Sequence, residues 1–215
     1  GTDGTLLGAW ASVPDKAKTI LDIGTGTGLI ALMMAQRFPD THITAVEIDK
    51  LSAETATDNV LQSPYSNRIA VVQSDINHYM PADKFDVIVS NPPYYADSLM
   101  SRNDSRRNQA RHTVSLSYEM LISNVCRLLN DDGCFSLIIP SDFLSRLLET
   151  AYLHGLFESR RCSVRTVSHK KPSRILVELK KQSPAEIETS EHFLLADHGL
   201  RSEWYQRLTA DFYIK

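Results

Sequence analysis

The stretch Thr19-Ile-Leu-Asp-Ile-Gly-Thr-Gly-Thr-Gly28 decides the fold class of this chain. It begins as a short apolar strand and ends in a glycine cluster, and the residues from Thr27 to Arg37 that overlap its end have the apolar pattern of a helix. A strand that turns through glycines into a helix directs backbone N–H groups and the positive helix end at a ligand. The stretch therefore predicts a strand–turn–helix unit with a ligand site at its turn.

The same alternation continues along the chain. Further strands are predicted at His42 to Val46, Arg68 to Val72, Phe85 to Ser90 and Cys134 to Ile139, and helices at Leu51 to Leu61, Leu116 to Leu129 and Phe143 to His154. Strands that are apolar throughout and alternate with helices are typical of a parallel sheet covered on both faces. We expect an α/β fold with a mostly parallel, twisted sheet and a ligand site at the carboxyl ends of its strands.

The C-terminal part is expected to complete the sheet. Phe157 to Val167 and Arg174 to Leu179 flank the turn Lys170-Lys-Pro-Ser173 and predict an antiparallel hairpin at the sheet's edge. A last turn and strand, Trp204 to Ile214, should pack back on the body. The length of 215 residues fits one domain, divided into an N-terminal closing segment at 1–18, a core at 19–140 and a sheet-completing part at 141–215.

Composition excludes several classes of protein. Hydrophobic residues make up 42% and charged residues 23% of the chain, which is typical of a globular domain and not of a disordered one. The longest apolar run, Leu29 to Ala35, has seven residues, whereas a membrane-spanning helix needs roughly 20. We therefore expect no membrane association. The start at Gly1 shows no signal-peptide pattern, which fits a cytoplasmic location. We also expect a monomer.

Cysteine and histidine spacing gives no support for a metal site. Cys126, Cys134 and Cys162 form no CxxC pair and cannot all pair as disulfides, which fits a reducing compartment. The seven histidines show neither HxH nor HExxH spacing. We therefore expect no metal ion.

Charge is distributed unevenly. The whole chain has a net charge of −3, yet residues 158–181 contain eight basic and two acidic residues, a local charge of +6. A second basic cluster contains Arg102, Arg106, Arg107, Arg111 and His112. A solvated face is the ordinary explanation for such clusters, and the motifs described next favour a polyanionic partner instead.

The glycine loop and the residue after the second strand together indicate a nucleoside-bearing ligand. Gly24, Gly26 and Gly28 fall at the first, third and fifth positions, whereas the dinucleotide fingerprint requires the first, third and sixth. Glu47 ends the second strand, where a carboxylate can accept hydrogen bonds from both ribose hydroxyls. Its alternative role, acidity at a helix N-terminus, suits Asp49 better.

Asn91-Pro-Pro-Tyr94 follows the fourth predicted strand directly and is the most specific motif in the chain. The two prolines remove N–H donors, so the Asn91 side-chain oxygen and the Pro92 carbonyl dominate as acceptors. Such a site suits an NH2 group, with Tyr94 stacked on the ring that carries it. A proline-rich turn alone would be the simpler explanation if the glycine loop and Glu47 were absent.

With these motifs, the chain resembles the Rossmann-like S-adenosylmethionine-dependent methyltransferases of the NPPY group. Within that group it is similar to the bacterial tRNA(Val) adenine-N6 methyltransferases, which modify the adenosine beside the anticodon. The closer resemblance rests on Gly1-Thr-Asp-Gly-Thr-Leu-Leu-Gly-Ala-Trp10, Asn91-Pro-Pro-Tyr94, Ala110-Arg-His-Thr113, Pro172-Ser-Arg-Ile-Leu-Val-Glu178 and Leu208-Thr-Ala-Asp-Phe-Tyr-Ile214. DNA adenine, ribosomal RNA guanine and protein glutamine methyltransferases share the NPPY motif, which indicates the chemistry better than the substrate.

The resemblance implies a role for each matching residue. Cofactor-binding residues would be Thr2, Asp3, Asp22, Gly24, Gly26, Glu47, Ile48, Asp75, Ile76 and Asn91, with Asp75 accepting the adenine amino group unless it only caps the following turn. Asn91, Pro92 and Tyr94 would hold the target base. The two basic clusters, and not the resemblance, supply the candidate tRNA contacts, which are Arg102, Arg106, Arg107, Arg111, His112, Lys170 and Lys171. The implied product of the cofactor is S-adenosylhomocysteine.

Two other functions remain open from the sequence. A protein glutamine methyltransferase would use the same acceptor groups, but such enzymes usually carry a peptide-binding domain before the catalytic core, whose first strand here starts at Thr19. A non-enzymatic RNA- or protein-binding module would not need complete motifs at both the glycine loop and Asn91. The resemblance therefore favours a tRNA substrate.

Overall fold

The computed structural model describes residues 1–93, 117–196 and 199–213, and its strands form one eight-stranded sheet in the order β3-β2-β1-β4-β5-β7-β6-β8. The strands are β1 Thr19–Ile23, β2 His42–Glu47, β3 Ile69–Gln73, β4 Phe85–Ser90, β5 Leu129–Pro140, β6 Phe157–Val167, β7 Arg174–Lys180 and β8 Glu188–Leu195. The helices are α1 Thr2–Trp10, α2 Leu29–Arg37, α3 Lys50–Leu61, α4 Tyr118–Leu128, α5 Leu144–Leu153 and α6 Glu203–Leu208. A 3-10 turn, Ser141–Phe143, precedes α5.

Strands β1 to β5 are parallel, which confirms the predicted fold class. β1 lies between β2 and β4, and Ile23 at its end pairs with Val46 on one side and Ser90 on the other. The carboxyl ends of these strands therefore lie side by side. The glycine loop, Glu47 and Asn91 come together because Glu47 ends one of these strands and the other two directly follow the ends of their strands.

The antiparallel hairpin of β6 and β7 is also confirmed, but it does not form the sheet's edge. β8 pairs with β6 in parallel and is the outermost strand, so the expectation of an edge hairpin is wrong. The first half of β8 is polar and exposed, and the strand is held through backbone pairing with β6 and packing of α6. Because Pro140 pairs with Arg174, the β6–β7 turn lies at the same edge as the ends of the parallel strands.

Two apolar layers cover the sheet, one on each face. Alternate residues of a strand point to opposite faces, and in β5 Ile138 packs into the layer with α1 and α2 while Phe135 packs into the layer with α4 and α5. Phe135 is completely buried. Strands buried on both faces are therefore apolar throughout, which is the pattern that predicted them.

The N-terminal segment forms helix α1, for which no helix was predicted. Gly8 lies so close to α2 that a Cβ atom there would come within 2.7 Å of the Met33 sulfur. The Arg37 guanidinium of α2 donates to the carbonyls of Gly8 and Ala11 at 2.7 and 2.8 Å. These contacts hold the carboxyl-terminal half of α1 against α2.

The prediction of a last strand at Trp204 to Ile214 is wrong. Residues 203–208 form α6, whose N-cap Ser202 accepts a 3.1 Å hydrogen bond from the backbone N–H of Tyr205. This cap and the burial of Tyr205 against the core outweigh the strand preference of the aromatic residues. The segment does pack back on the body, as expected.

Candidate active site

The glycine loop after β1 leaves open space above it. Gly24 and Gly26 have φ angles of +70° and +58°, in the left-handed region that side chains disfavour, and a Cβ at either would meet no atom within 4 Å. The N–H groups of Gly24 and Thr25 donate to the Val46 carbonyl at 2.9 and 3.1 Å. The loop is therefore held to the end of β2 while its outer surface stays accessible.

Glu47 connects the end of β2 to the same loop. Its Oε2 accepts from the Gly26 N–H at 2.8 Å, and its Oε1 accepts from the Asp49 N–H at 2.9 Å. A carboxylate offers roughly four acceptor positions, so both oxygens can still accept from a ligand. Asp49 is the N-cap of α3, and hydrogen bonding by Ser52 holds the pKa of Asp49 below its ordinary value.

Asp22 lies beneath the loop and is completely buried. Its Oδ2 accepts from the Thr25 hydroxyl at 2.6 Å and from the Ala31 N–H at 3.2 Å, whereas Oδ1 is buried without a hydrogen bond from the described residues. Burial raises the pKa of Asp22 to about 7, more than those hydrogen bonds lower it. Asp22 supports the loop from below and lines neither of the two cavities described next.

A first cavity of about 310 Å³ lies at the ends of β1, β2, β3 and β4. Its wall includes Glu47, Ile48, Asp75, Ile76, Asn91 and Pro92. Ile48 is 46% exposed and Ile76 only 6%, so two aliphatic side chains present apolar surface there. Asp75 Oδ1 accepts from the Asn77 backbone and side-chain N–H groups at 2.9 and 2.8 Å. Asp75 therefore caps its turn and also lines the cavity.

A second cavity of about 500 Å³ lies between the glycine loop and the start of α1. Thr2 and Asp3 line it opposite Gly26, and Asp3 forms a 2.9 Å ion pair with Arg174 at the start of β7. Gly24 and Asn91 line both cavities. The two cavities therefore adjoin, and Asn91 lies at their junction.

The Asn91-Pro92 backbone continues directly from β4. The Ser90 hydroxyl donates to the Ile23 carbonyl at 2.9 Å, which holds the end of β4 to the end of β1. Pro92 is buried, and Asn91 is half-buried. Tyr94, the third predicted member of the motif, lies outside the described residues.

Most of the predicted basic run is neutralised by ion pairs. Arg160 pairs with Glu178, Arg161 with Glu158, Arg165 with Glu191, Arg174 with Asp3 and Lys181 with Asp131. Lys170 and Lys171 are exposed in the β6–β7 turn, and neither forms an ion pair with another described residue. Lys170 and Lys171 are therefore the described members of the predicted tRNA contacts, whereas Arg102, Arg106, Arg107, Arg111 and His112 lie outside the described residues.

Sequence reasoning missed three polar residues of the first cavity, which are Ser74, Ser90 and Asn77. The last of them, Asn77, could have been found. Its position two residues after Asp75 in a predicted turn is the signal that could have found it, because an Asp side chain commonly accepts from the residue two positions later. Within residues 1–93, 117–196 and 199–213, no three His, Cys, Asp or Glu side chains are placed to hold a metal ion. No helix in these ranges is long and apolar enough to cross a membrane.

The combined cavities suit a nucleoside with a polar extension. The first offers a carboxylate for hydroxyl groups and apolar walls for a flat ring. The second offers a glycine loop that a ligand can approach closely, with the polar side chains of Thr2 and Asp3 on its other wall. The junction offers the side-chain oxygen of Asn91 and the carbonyl of Pro92 as acceptors. A group transferred between two ligands would pass at this junction.

Residues 5–113 match the family model of the methyltransferase small domain. Proteins named tRNA1(Val) (adenine(37)-N6)-methyltransferase are similar over the whole chain. The protein of that name from Bacteroides thetaiotaomicron is 46% identical, covering 100% of this chain and 90% of its own length. The one from Vibrio parahaemolyticus is 41% identical, covering 100% and 88%.

Solved methyltransferase structures share the fold. A predicted O-methyltransferase from Agrobacterium tumefaciens superposes with a TM-score of 0.74 at 20% identity, covering 97% of this chain and 95% of its own. A glycopeptide N-methyltransferase in complex with S-adenosylmethionine superposes with a TM-score of 0.58 at 12% identity, covering 83% and 94%. At these identities the likeness concerns the fold alone.

Proposed function

Because the chain belongs to the methyltransferase small domain family and, within it, to the family of bacterial tRNA1(Val) (adenine(37)-N6)-methyltransferases, we propose that it methylates N6 of the adenosine beside the anticodon of a valine tRNA. The methyl donor is S-adenosylmethionine, which supplies an electrophilic methyl group and leaves as S-adenosylhomocysteine. The observation that carries this proposal is the meeting of two cavities at Asn91. A tRNA substrate places the reaction in the cytoplasm, where we expect the chain to act as a monomer.

The residues of the first cavity fit the adenosine part of the cofactor. Each carboxylate oxygen of Glu47 already accepts one hydrogen bond, from Gly26 or from Asp49, and can accept a second one. These second positions accept from the ribose hydroxyls. Ile48 and Ile76 contact the two faces of the adenine ring, and Asp75 accepts from its amino group.

The second cavity fits the methionine part. Gly24 and Gly26 allow close approach because a Cβ at either position would project into open space. Thr2 and Asp3 close the cavity from the side of α1. Asp22 acts through the loop that it supports, because it is buried below the cavity floor.

Asn91 and Pro92 orient the target amine. An adenine amino group is a weak nucleophile, because its lone pair is conjugated with the ring. When the Asn91 side-chain oxygen and the Pro92 carbonyl accept its two hydrogens, the lone pair is turned toward the methyl donor at the junction of the cavities. A nitrogen–carbon bond forms as the sulfur–carbon bond breaks, and the nitrogen then loses a proton to solvent. Tyr94 stacks on the base in this proposal.

Lys170 and Lys171 contact phosphate groups of the tRNA. The target base must leave its stack to reach Asn91, which costs a few kcal/mol, and phosphate contacts at the same edge of the sheet offset that cost. The ion pair between Asp3 and Arg174 fixes the start of β7 beside the second cavity. We assign the same phosphate-binding role to Arg102, Arg106, Arg107, Arg111 and His112.

The proposal is tested by methylating tRNA with the purified chain and S-adenosylmethionine labelled in its methyl group. Nucleoside mass spectrometry should find the label in N6-methyladenosine, and a valine tRNA transcript with guanosine in place of the target adenosine should take up none. Labelled glutamine in a protein extract, with unlabelled tRNA, would overturn the substrate assignment. Binding of S-adenosylmethionine without transfer to either would indicate a binding module instead of an enzyme.

A further inference from the structure

A chain of hydrogen bonds connects the wall of the first cavity to helix α4. Asp75 Oδ1 accepts from the Asn77 side-chain amide at 2.8 Å, and Asn77 Oδ1 accepts from the Asn124 amide at 2.7 Å. Asn124 Oδ1 in turn accepts from the Arg127 guanidinium at 2.7 Å. The polar chain thus runs from the cavity into the protein through four consecutive side chains.

The far end of this chain is firmly held. Asn124 is only 6% exposed, and its amide also donates to the Met120 carbonyl at 2.8 Å. Arg127 donates to the carbonyls of Ile76 and Tyr79 at 3.0 and 2.9 Å, which are in the turn that carries Asp75. Since both amide groups have all these partners, the side chains of Asn77 and Asn124 have one favoured orientation.

The orientation of Asn77 determines which Asp75 oxygen is available to a ligand. Oδ1 is occupied by two N–H groups of Asn77, while Oδ2 accepts no hydrogen bond from the described residues and lies 3.6 Å from the His78 ring nitrogen. A carboxylate held in this way presents a fixed acceptor. It cannot donate, so it favours an amino group over a carbonyl oxygen at the same position of a ring.

We propose that Asn124 and Arg127 are positioning residues that make the first cavity selective for a 6-aminopurine over a 6-oxopurine. They act through Asn77 by holding Asp75 with Oδ2 directed at the ring's amino group. This inference rests on the proposed function, because it takes the adenosine of S-adenosylmethionine as the occupant of the first cavity. Neither residue touches the ligand.

The test compares the binding of two ligands by calorimetry. S-adenosylhomocysteine carries the 6-amino group, and S-inosylhomocysteine carries a 6-oxo group and is otherwise the same molecule. The unaltered chain should bind the adenosyl compound more tightly by about tenfold or more, since a hydrogen bond to a charged acceptor is lost and a carbonyl faces a carboxylate. In Asn124→Leu the ratio should fall to within about threefold of unity, because Asn77 loses the partner that orients it.

Two further variants keep the result interpretable. Asn124→Asp keeps the shape of the side chain but offers Asn77 an acceptor in place of a donor, so it should also lose the selectivity even if Asn124→Leu does not fold. Asn130→Leu removes an amide that donates to Asp86 Oδ1 at 2.8 Å near the start of β1, at the opposite edge of the sheet, and should keep the selectivity.

The outcomes separate this inference from the proposed function. Selectivity retained in folded Asn124→Leu or Asn124→Asp would overturn the positioning role while leaving the cofactor assignment intact. If Asn130→Leu lost the selectivity to the same extent, the effect would come from general destabilisation, and the positioning role would be overturned as well. If the unaltered chain binds neither compound, the proposed function itself fails.

Discussion

Glu47 Oε2 accepts a 2.8 Å hydrogen bond from the backbone N–H of Gly26, so the acidic residue after β2 and the glycine loop after β1 form one unit. Its other carboxylate oxygen is bonded to the Asp49 N–H, at the start of α3. Glu47 therefore orients the loop and faces the first cavity at the same time. A change at Glu47 should affect ligand binding through both roles.

We expect Glu47→Gln to weaken the binding of S-adenosylhomocysteine by about tenfold to a hundredfold, because hydrogen bonds to a charged group contribute about 1.5–3 kcal/mol each. Titration calorimetry measures the change. Glu54→Gln is the matched control, because Glu54 is an exposed partner of Lys50 on α3. Equal affinities for Glu47→Gln and the unaltered chain would remove Glu47 from the ribose site.

Asn91→Ala should abolish methyl transfer to tRNA while S-adenosylhomocysteine binds with nearly unchanged affinity. The side-chain oxygen of Asn91 is assigned to the acceptor amine, and the cofactor retains Glu47, Asp75 and the glycine loop. Single-turnover methylation and calorimetry together measure the two effects. A loss of cofactor affinity equal to the loss of rate would instead assign Asn91 to the cofactor alone.

Lys170→Glu combined with Lys171→Glu should weaken tRNA binding and leave the affinity for S-adenosylhomocysteine unchanged. The slope of log affinity against log salt concentration should decrease in magnitude by about 1 to 2, because each lost phosphate contact removes about 0.7–0.9 from it. Filter binding over a salt series measures it. The same series on Arg106→Glu with Arg107→Glu tests the other basic cluster.

The matched control reverses the charge of two lysines at the opposite edge of the sheet. Lys16 and Lys18 are exposed just before β1, so Lys16→Glu with Lys18→Glu changes the net charge by the same amount without approaching the cavities. This variant should keep the salt slope of the unaltered chain. If both pairs of substitutions weaken binding equally, the effect comes from net charge, and the β6–β7 turn is only a solvated surface.

Asp22→Asn should remove a pH dependence from the stability of the fold. The pKa of Asp22 is about 7 in the folded chain and 3.8 ordinarily, because the carboxyl is buried. The folded chain therefore binds a proton that the unfolded chain releases between these values. The stabilisation of the fold by the protonated Asp22 carboxyl is fully present below pH 3.8. It falls, by up to about 1.4 kcal/mol for each pH unit, as the pH rises to 7.

Urea unfolding of both chains at several pH values from 4 to 8 measures this effect. The free energy of unfolding of Asp22→Asn relative to that of the unaltered chain should rise with pH across that interval, because asparagine does not ionise. A constant difference between the two chains would mean that Asp22 is ionised in the fold at all these pH values.

Local patterns predicted the parallel part of the sheet and the meeting of its motifs at the carboxyl ends of the strands. β1 to β4 are short apolar runs bounded by turns, and the motifs after β1, β2 and β4 had to meet once those strands were parallel. Asp75 shows where such reasoning ends. Turn capping and ligand binding were alternatives for one carboxylate in the sequence. In the fold Oδ1 accepts from Asn77 in the turn, while Oδ2 accepts no hydrogen bond from the described residues.

The elements that were missed or mispredicted depend on tertiary contacts. Two glycines inside α1 lower its helix propensity by about 1 kcal/mol each, yet Gly4 and Gly8 are where α1 meets α2. Four exposed residues begin β8 and show no alternation, so only its pairing with β6 makes it a strand. Neither cause can be read from a local pattern.

The reversed direction of β7 has a consequence for how relatives of this chain can diverge. It delivers a six-residue hairpin turn, 168–173, to the edge where we propose that methyl transfer takes place, while the residues proposed to line the cofactor belong to the segments around α1 and β1 to β4. Surface turns accept insertions and charge changes more readily than buried strands do. A lineage could therefore exchange one RNA partner for another by remodelling this hairpin, without altering the half of the molecule that we propose binds the methyl donor.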